Sequence, residues 1–385
     1  MWGKHMNKKL IVTFTVGIFL LGMMELIVSG ILELMSNDLG ISHALTGQLI
    51  TVYAVSFALF GPLLIRLTEN ISPKIVVLLS LAVFIVGNIV FGLADSFLTL
   101  SLGRVITAMA AAVFIVKILD MTVVLSEPHI RGKMLALVYM GFSAANVFGI
   151  PIGTIIGAQF GWRVIFGIVI VLAILVGLGV LFFVRPEALA DDTPAGVQKS
   201  RIKSKKNVAL YITVTLAVLI GNYIILGYIS PLMTSHGFTL ENVSFALLIT
   251  GIGGMTGTYL GGNLIDKIGP KKTVMIMMSL FLVSLAVMPF LYGTPVLFYI
   301  NMFAWSLFQW ATSPAVQGGL VENVEGSSSN VFSWNMSALN LGIGVGAVIG
   351  GLFISNFDIS YGPWLGFVIV LCGLIAATQI KPQTV

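Results

Sequence analysis

The sequence predicts an all-α membrane protein of twelve transmembrane helices, arranged as two pseudo-symmetric bundles of six. Three observations carry this. The 385 residues are 57% hydrophobic and only 9% charged, with a mean hydropathy of +1.04, whereas a soluble globule carries roughly 25% charged residues. Apolar runs of about 20 residues, the length that crosses a bilayer, recur from end to end between short polar or Gly/Pro breaks. The basic residues fall almost entirely on one side of the alternating connections.

The expected spans are 10–32, 44–65, 74–94, 97–124, 134–158, 163–184, 208–232, 242–264, 273–292, 295–316, 330–354 and 362–380. The first follows Lys8 and Lys9, but it is longer than a signal h-region and lacks a small-residue cleavage site, so it reads as retained. The second ends in Gly61-Pro-Leu-Leu-Ile-Arg66, and Lys74 opens the third. The fourth carries Arg104, Lys117 and Asp120; the last two stand three apart, a spacing that lets them pair on one face near the membrane interface. The fifth has small residues at every fourth place, Gly141, Ala145, Gly149, Gly153 and Gly157, and so presents one smooth face. The sixth runs into the longest polar stretch, Arg185 to Asn207, with Asp191, Asp192 and six basic residues. This divides the chain into an N-terminal bundle (1–184), a cytoplasmic linker (185–207) and a C-terminal bundle (208–385).

The second bundle repeats the landmarks of the first. Its second span, the eighth overall, ends in Gly262-Asn-Leu-Ile-Asp266-Lys267-Ile-Gly269-Pro-Lys271-Lys272. Its fifth, the eleventh overall, carries Ala338, Gly342, Gly346 and Gly350. Glycine faces let membrane helices approach closely and slide, and two six-helix halves with a site between them is the plan of a transporter.

Orientation follows from lysine and arginine placement. With the N-terminus cytoplasmic, the inner segments hold Lys4, Lys8, Lys9, Arg66, Lys74, Arg131, Lys133, the linker basics, Lys267, Lys271, Lys272 and Lys381, and the outer loops hold only Arg163. Positive charge stays inside, so both termini are expected in the cytoplasm.

Several function classes are disfavoured. The net charge of +5 is scattered among spans, which argues against nucleic-acid binding, and a single cysteine, Cys372, allows no internal disulfide. His5, His43, His129 and His236 lack metal-ligand spacing. With no P-loop and no nucleophile–base arrangement, the chain is expected to be no enzyme and to need no metal or cofactor. Its expected partners are a small-molecule substrate, protons and the lipid bilayer, and it is expected to be monomeric.

Glu25 is the only charged residue between Leu10 and Leu32. A charge at that depth costs about 2.5–3.5 kcal/mol even on the lenient insertion scale, and intramembrane acids mark ion pathways. Amides and aromatics sit at central depths elsewhere: Asn146, Asn222, Tyr223, Tyr228, Asn301, Trp305, Gln309, Asn335 and Asn340. Groups that donate and accept hydrogen bonds beside stacking rings suit a flat polar heterocycle or a sugar.

The chain resembles the major facilitator superfamily, specifically its twelve-helix drug:proton antiporter family. Gly262-x-x-x-Asp266-Lys267-x-Gly269-x-Lys271-Lys272 is similar to that superfamily's cytoplasmic gate signature; in the first-half copy Ile65 stands where the aspartate belongs. Arg104 with Ala108, Ala110 and Ala111 is similar to its fourth-helix arginine motif. Gly149-Ile-Pro151-Ile-Gly153 with Gly157 is similar to the antiporter signature of exporters. Gly22-Met-Met-Glu25-Leu-Ile-Val-Ser-Gly30, Trp305 to Gln317 around Pro314, and Asn335-Met-Ser337-Ala-Leu-Asn340-Leu-Gly342 resemble bacterial purine base and nucleoside efflux transporters, and the first pattern is shared with sugar-efflux members. The resemblance implies a proton-coupled exporter of the bacterial cytoplasmic membrane working by alternating access. Glu25 would be its proton site, Arg104 the counter-charge, and Arg66, Gly149, Pro151, Gly153, Asp266, Lys267 and Gly269 its gate and moving parts. Purines rank first as cargo, then sugars, then lipophilic drugs; a ligand sensor or scaffold that moves nothing is the alternative of another class.

Overall fold

The computed structural model describes residues 6–41, 43–184, 201–354 and 356–381. The predicted linker lies outside the described residues as far as position 200. Contacts divide the described residues into two compact units: those up to Val184 together with Gly326–Ser337, and Arg201–Glu325 together with those from Ala338 to Lys381.

The first unit contains α1 (Lys8–Leu39), α2 (His43–Leu67), α3 (Pro73–Gly92), α4 (Phe97–Leu125), α5 (Arg131–Ala144), α6 (Ile150–Phe160) and α7 (Trp162–Phe183). Three starts are specified locally: Asn7 caps α1, a Ser96–Thr99 capping box opens α4, and Pro73 occupies the first turn of α3. In this unit α4 is the enclosed helix, buried without interruption from Ala110 to Val123 and packed on α2, α3 and α5. Polar groups there have no water to turn to, so each must find a protein partner.

Two expected straight helices are bent. The first bends by 56° between its parts Lys8–Glu25 and Gly30–Leu39. The expected span 134–158 becomes α5, a π-helical turn over Ala145–Gly149, and α6, with a 43° bend. Pro151 explains the second: it has no N–H, and its ring would clash with the carbonyl of Val147 in a regular helix. An extra residue in the turn relieves that clash.

The second unit contains α8 (Lys205–Leu226), α9 (Ile229–Thr234), α10 (Leu240–Ile268), α11 (Pro270–Val287), α12 (Pro295–Glu322), α13 from Ala338 on (the whole helix is Ser329–Ile354) and α14 (Gly362–Thr378). The expected span 208–232 stops at Leu226 and resumes as α9, because Pro231 sets the same constraint on Gly227. A two-residue strand, β1 (Arg201–Ile202), pairs antiparallel with β2 (Val324–Glu325), and Asn207 bonds to Asn323 and to the Lys381 carbonyl, each at 2.9 Å.

Each unit repeats one packing scheme. In the first, α2 packs on α4, α3 on α4 and α7, and α1 on α7; in the second, α10 packs on α12, α11 on α12 and α14, and α8 on α14. A Pro-Lys pair opens the third helix of each. Lys74 donates to the carbonyls of Leu181 and Val184, both at 2.7 Å, at the end of α7, and Lys271 donates to that of Thr378 at 3.3 Å, at the end of α14. A cation at a helix C-terminus is favourable.

The two glycine stripes also do equivalent work. Gly141, Gly149 and Gly153 lie against Thr15, Met23 and Ile27 of α1, while Gly342, Gly346 and Gly350 lie against Leu219, Ile220 and Tyr228 at α8 and the turn after it. The closest backbone-to-backbone approach at a glycine is at Gly257, where a Cβ would overlap the carbonyl oxygen of Leu307 and α10 meets α12. Gly257→Val is therefore expected to destabilise the fold by about 1–3 kcal/mol, read as a lower thermal unfolding temperature in detergent; an unchanged temperature would mean the helices can part at no cost.

Among the described residues, nine helices are long and apolar enough to cross a membrane, and two bent pairs raise the number to eleven. The 28-residue α12 is not among them, although at about 1.5 Å per residue it is long enough. Its apolar character is diluted by Asn301, Gln309, Thr312 and Gln317, all of them buried.

Candidate functional site

Glu25 stands at the middle of α1, where the first straight part ends, and is half-buried. Arg104, 1% exposed, reaches the same place from α4. Its guanidinium donates to the backbone carbonyls of Met24 at 2.6 Å, Glu25 at 2.8 Å and Leu49 at 3.2 Å. Arg104 makes no ion pair with the Glu25 carboxylate. The reason is geometric. Carbonyls at a helix bend keep a free lone pair, and a planar fork of donors serves several of them at once. Arg104 still acts on Glu25 through its charge.

Tyr53 completes this group and was not anticipated. Its ring lies under the Arg104 guanidinium, 4.3 Å from centroid to carbon, and its buried hydroxyl has no hydrogen-bond partner among the described residues. The sequence signal was spacing: Tyr53 is one turn beyond Leu49, so Arg104 meets both on one face of α2. The α1 bend is also where Met23 and Ile27 contact Gly149 and Gly153, and Asn146 sits in the adjoining π turn with its amide on the Phe142 carbonyl at 3.1 Å. Pro151 is exposed.

In the second unit the structure sorts the candidate cavity residues by what their polar atoms do. The Asn301 amide bridges to the Ser284 carbonyl at 3.2 Å, and the Tyr228 hydroxyl to that of Ala347 at 2.8 Å; both tie helices together. Tyr223 packs on Gly346. Trp305 Nε1 and Asn222 Oδ1 are buried with no partner among the described residues. Gln309 and Asn340 are buried, as is Asn335, which belongs to the segment grouped with the first unit. Gln317 was not anticipated as a site residue: it is fully buried, and neither end of its amide has a partner among the described residues. An amide deep in an apolar span was the available signal.

The gate candidates lie at helix ends. Arg66 is exposed in the last turn of α2, and Asp266 and Lys267 are exposed in the last turn of α10. Gly269 has φ +81°, a conformation side chains rarely adopt, and its N–H closes α10 onto the Ile265 carbonyl at 2.8 Å before Pro270 begins α11. Ile65, in the aspartate position of the first copy, is 1% exposed, so that position points into packing rather than into a polar gate. The Lys117–Asp120 pair does not form. Asp120 instead accepts from Ser327 Oγ at 2.7 Å, the Ser328 N–H at 2.6 Å and Ser329 Oγ at 2.8 Å. No group of His, Cys, Asp or Glu among the described residues could hold a metal ion.

The family model of the Major Facilitator Superfamily matches residues 14–330 and 211–383. An MFS-type transporter of Bacillus subtilis, YbcL, is 31% identical over 363 residues, 94% of this chain and 93% of that one. A probable sugar efflux transporter of Haemophilus influenzae is 26% identical over 93% of this chain and 90% of its own length. Among solved structures, the fucose:proton symporter FucP of Escherichia coli superposes with TM-score 0.76 at 14% identity, covering 98% of this chain and all of that one; the proton:xylose symporter XylE does so with 0.74 at 13% identity, covering 97% and 95%. The chain therefore belongs to the major facilitator superfamily and is a multi-pass membrane transporter of small molecules, not an enzyme.

Proposed function

We propose that this transporter is a proton-coupled exporter of the bacterial cytoplasmic membrane, monomeric and with both termini inside, that moves a small polar solute by alternating access of two bundles, 1–184 and 208–385. One observation carries the reading: Glu25, the acid at the midpoint of a membrane helix, stands where that helix bends and an arginine grips its backbone. Protonation removes the cost of burying its charge, and deprotonation restores it. Taking up and losing a proton thus changes what the bend can pack against. Gly149 and Gly153 supply a smooth surface for that movement.

Trp305 and Asn222 are the proposed cargo contacts. A buried N–H and a buried carbonyl oxygen without protein partners suit a solute that both accepts and donates. Purine bases and nucleosides fit this chemistry and match the three segments that resemble purine exporters. Sugars fit it too, and the Haemophilus influenzae relative is a probable sugar efflux transporter.

The test is efflux from proteoliposomes loaded with purines, nucleosides or sugars, with and without a pH gradient. Acceleration of one class by the gradient is expected; no gradient effect on any class would sink the reading. For the cargo so identified, Trp305→Phe and Asn222→Leu are each expected to weaken binding about tenfold while unfolding temperature stays near wild type. Unchanged binding would remove those residues from the site.

A further inference from the structure

In each unit, polar side chains tie together the connections that follow its first, third and fifth spans. In the first unit, Asp38 near the end of α1 accepts from Trp162 Nε1 at 3.0 Å and from Arg163, both at the start of α7; Arg163 also donates to the Ala94 carbonyl, between α3 and α4, at 3.0 Å. In the second unit the same three connections meet at a histidine. His236, in the turn after α9, stacks on Tyr292, between α11 and α12, with ring centroids 4.0 Å apart and 33° between the planes. Its Nε2 lies 3.1 Å from Ser360 Oγ, between α13 and α14, and the Tyr292 hydroxyl donates to the Ser360 carbonyl at 3.2 Å. Behind Tyr292 the rings continue through Phe298 to Phe238, at 5.8 and 5.2 Å between centroids.

The two clasps differ in one chemical respect. Arginine keeps its charge, and hydrogen bonds from Arg163 and Trp162 hold the Asp38 carboxyl below the usual carboxylate range. The first clasp is therefore unchanged between roughly pH 5 and 8, the interval in which histidine gains or loses its charge. The surroundings of His236 offer more to the charged ring than to the neutral one. Nδ1 lies 2.8 Å from the Leu232 carbonyl, which can only accept, so this nitrogen carries a hydrogen. Asp358 accepts from the Ser360 N–H at 2.8 Å and draws the Ser360 hydroxyl as well. With its hydrogen on Asp358, Ser360 Oγ turns a lone pair to Nε2, and only the doubly protonated ring donates to both neighbours. The neutral ring must pull that hydroxyl away from Asp358 or leave Nε2 unserved. Protonation also sets a cation on the Tyr292 ring and strengthens the hydrogen bonds. Among the described residues, Tyr292 and Asp358 are the titratable groups that face His236; hydrogen bonds from Ser360 and the histidine charge hold the Asp358 carboxyl low, so it stays negative throughout. The contribution of this clasp is thus full at the acid end of the interval and is lost as rising pH strips the imidazolium of its proton.

We propose that His236 is a pH-sensitive clasp whose protonation fastens the three connections at this end of the second unit, while the Arg163–Asp38 clasp of the first unit stays as it is. With both termini inside, as proposed above, the acidity it senses is external, so this end is firmest when the inward proton gradient is largest. Only that link rests on the export reading. The clasp is tested with neither cargo nor a gradient, so the two can fail separately.

The test is amide hydrogen exchange of the full chain in detergent at about pH 7.5 and about pH 5.5, corrected for the intrinsic pH dependence of exchange. Protection of residues 236–238 and 360–361, whose N–H groups are bonded within the clasp, is expected to rise at least about threefold on acidification. That of residues 36–40 in the first clasp is expected to stay level. His236→Phe keeps a ring on Tyr292 but binds no proton, and is expected to abolish the rise. No rise in wild type, or an equal rise in His236→Phe, would overturn the proposal. Ser360→Ala keeps the histidine and its stack and is expected to cut the rise to less than half. A full rise in Ser360→Ala would overturn the hydroxyl exchange, and it decides the proposal should His236→Phe fail to fold.

Discussion

Glu25→Gln is expected to reduce pH-gradient-driven export to the rate of protein-free liposomes while leaving exchange of labelled for unlabelled cargo intact. Glutamine matches glutamate in shape and keeps its hydrogen-bonding capacity, but it carries no proton that can be released. It holds α1 permanently in the condition of the protonated acid. A carrier frozen in that condition still shuttles when cargo is present on both faces, because exchange needs no proton turnover. Driven export needs the residue to alternate. The proteoliposome assay separates the two with one preparation. Gradient-driven export at the wild-type rate would end the coupling role; loss of exchange as well would point to a packing role at the bend.

Arg104→Met is expected to be the most destabilising single change in the first unit. Arg104 is almost wholly enclosed and serves carbonyls of two helices, Met24 and Glu25 on α1 and Leu49 on α2. Methionine fills much of the volume but supplies no donor, so the cost is mainly electrostatic. Removing one member of a buried polar set costs about 3–5 kcal/mol, equivalent to a drop in unfolding temperature on the order of 6 °C or more, compared at one scan rate because membrane-protein unfolding is commonly irreversible. Arg104→Lys should recover little, since an ammonium is a point charge and cannot fork across three acceptors or lie flat on Tyr53. A lysine variant as stable as wild type would show that charge alone, rather than the fork, is what the bend needs.

The helices were legible because membrane spans are written in local composition. Among the described residues the twelve apolar runs fall on twelve helical segments, two of them broken, at Gly227 and at the Ala145–Gly149 turn. In both cases the proline that causes the break is visible in the sequence, and what was missed was its consequence four residues upstream. The duplicated plan was also legible, since a glycine followed by a charged turn ends the second span of each half and glycine stripes recur in the fifth. The pairing of charges was not. Spacing put Lys117 with Asp120 and the family resemblance put Arg104 beside Glu25, yet Asp120 took three serines and Arg104 took backbone carbonyls.

The sequence by itself determined that this is a two-part helical membrane transporter with an acid inside its first helix. Those features depend on apolar length, glycine spacing and isolated charge, each a property of a short stretch of chain. Only the tertiary structure decided which donor meets which acceptor. In a dry interior every polar group must be satisfied by whatever the packing places beside it. That depends on helix rotation and on the bends at Glu25 and Pro151, which bring groups far apart in sequence into contact. Tyr53 under Arg104 and Ser329 on Asp120 belong to that second kind of information.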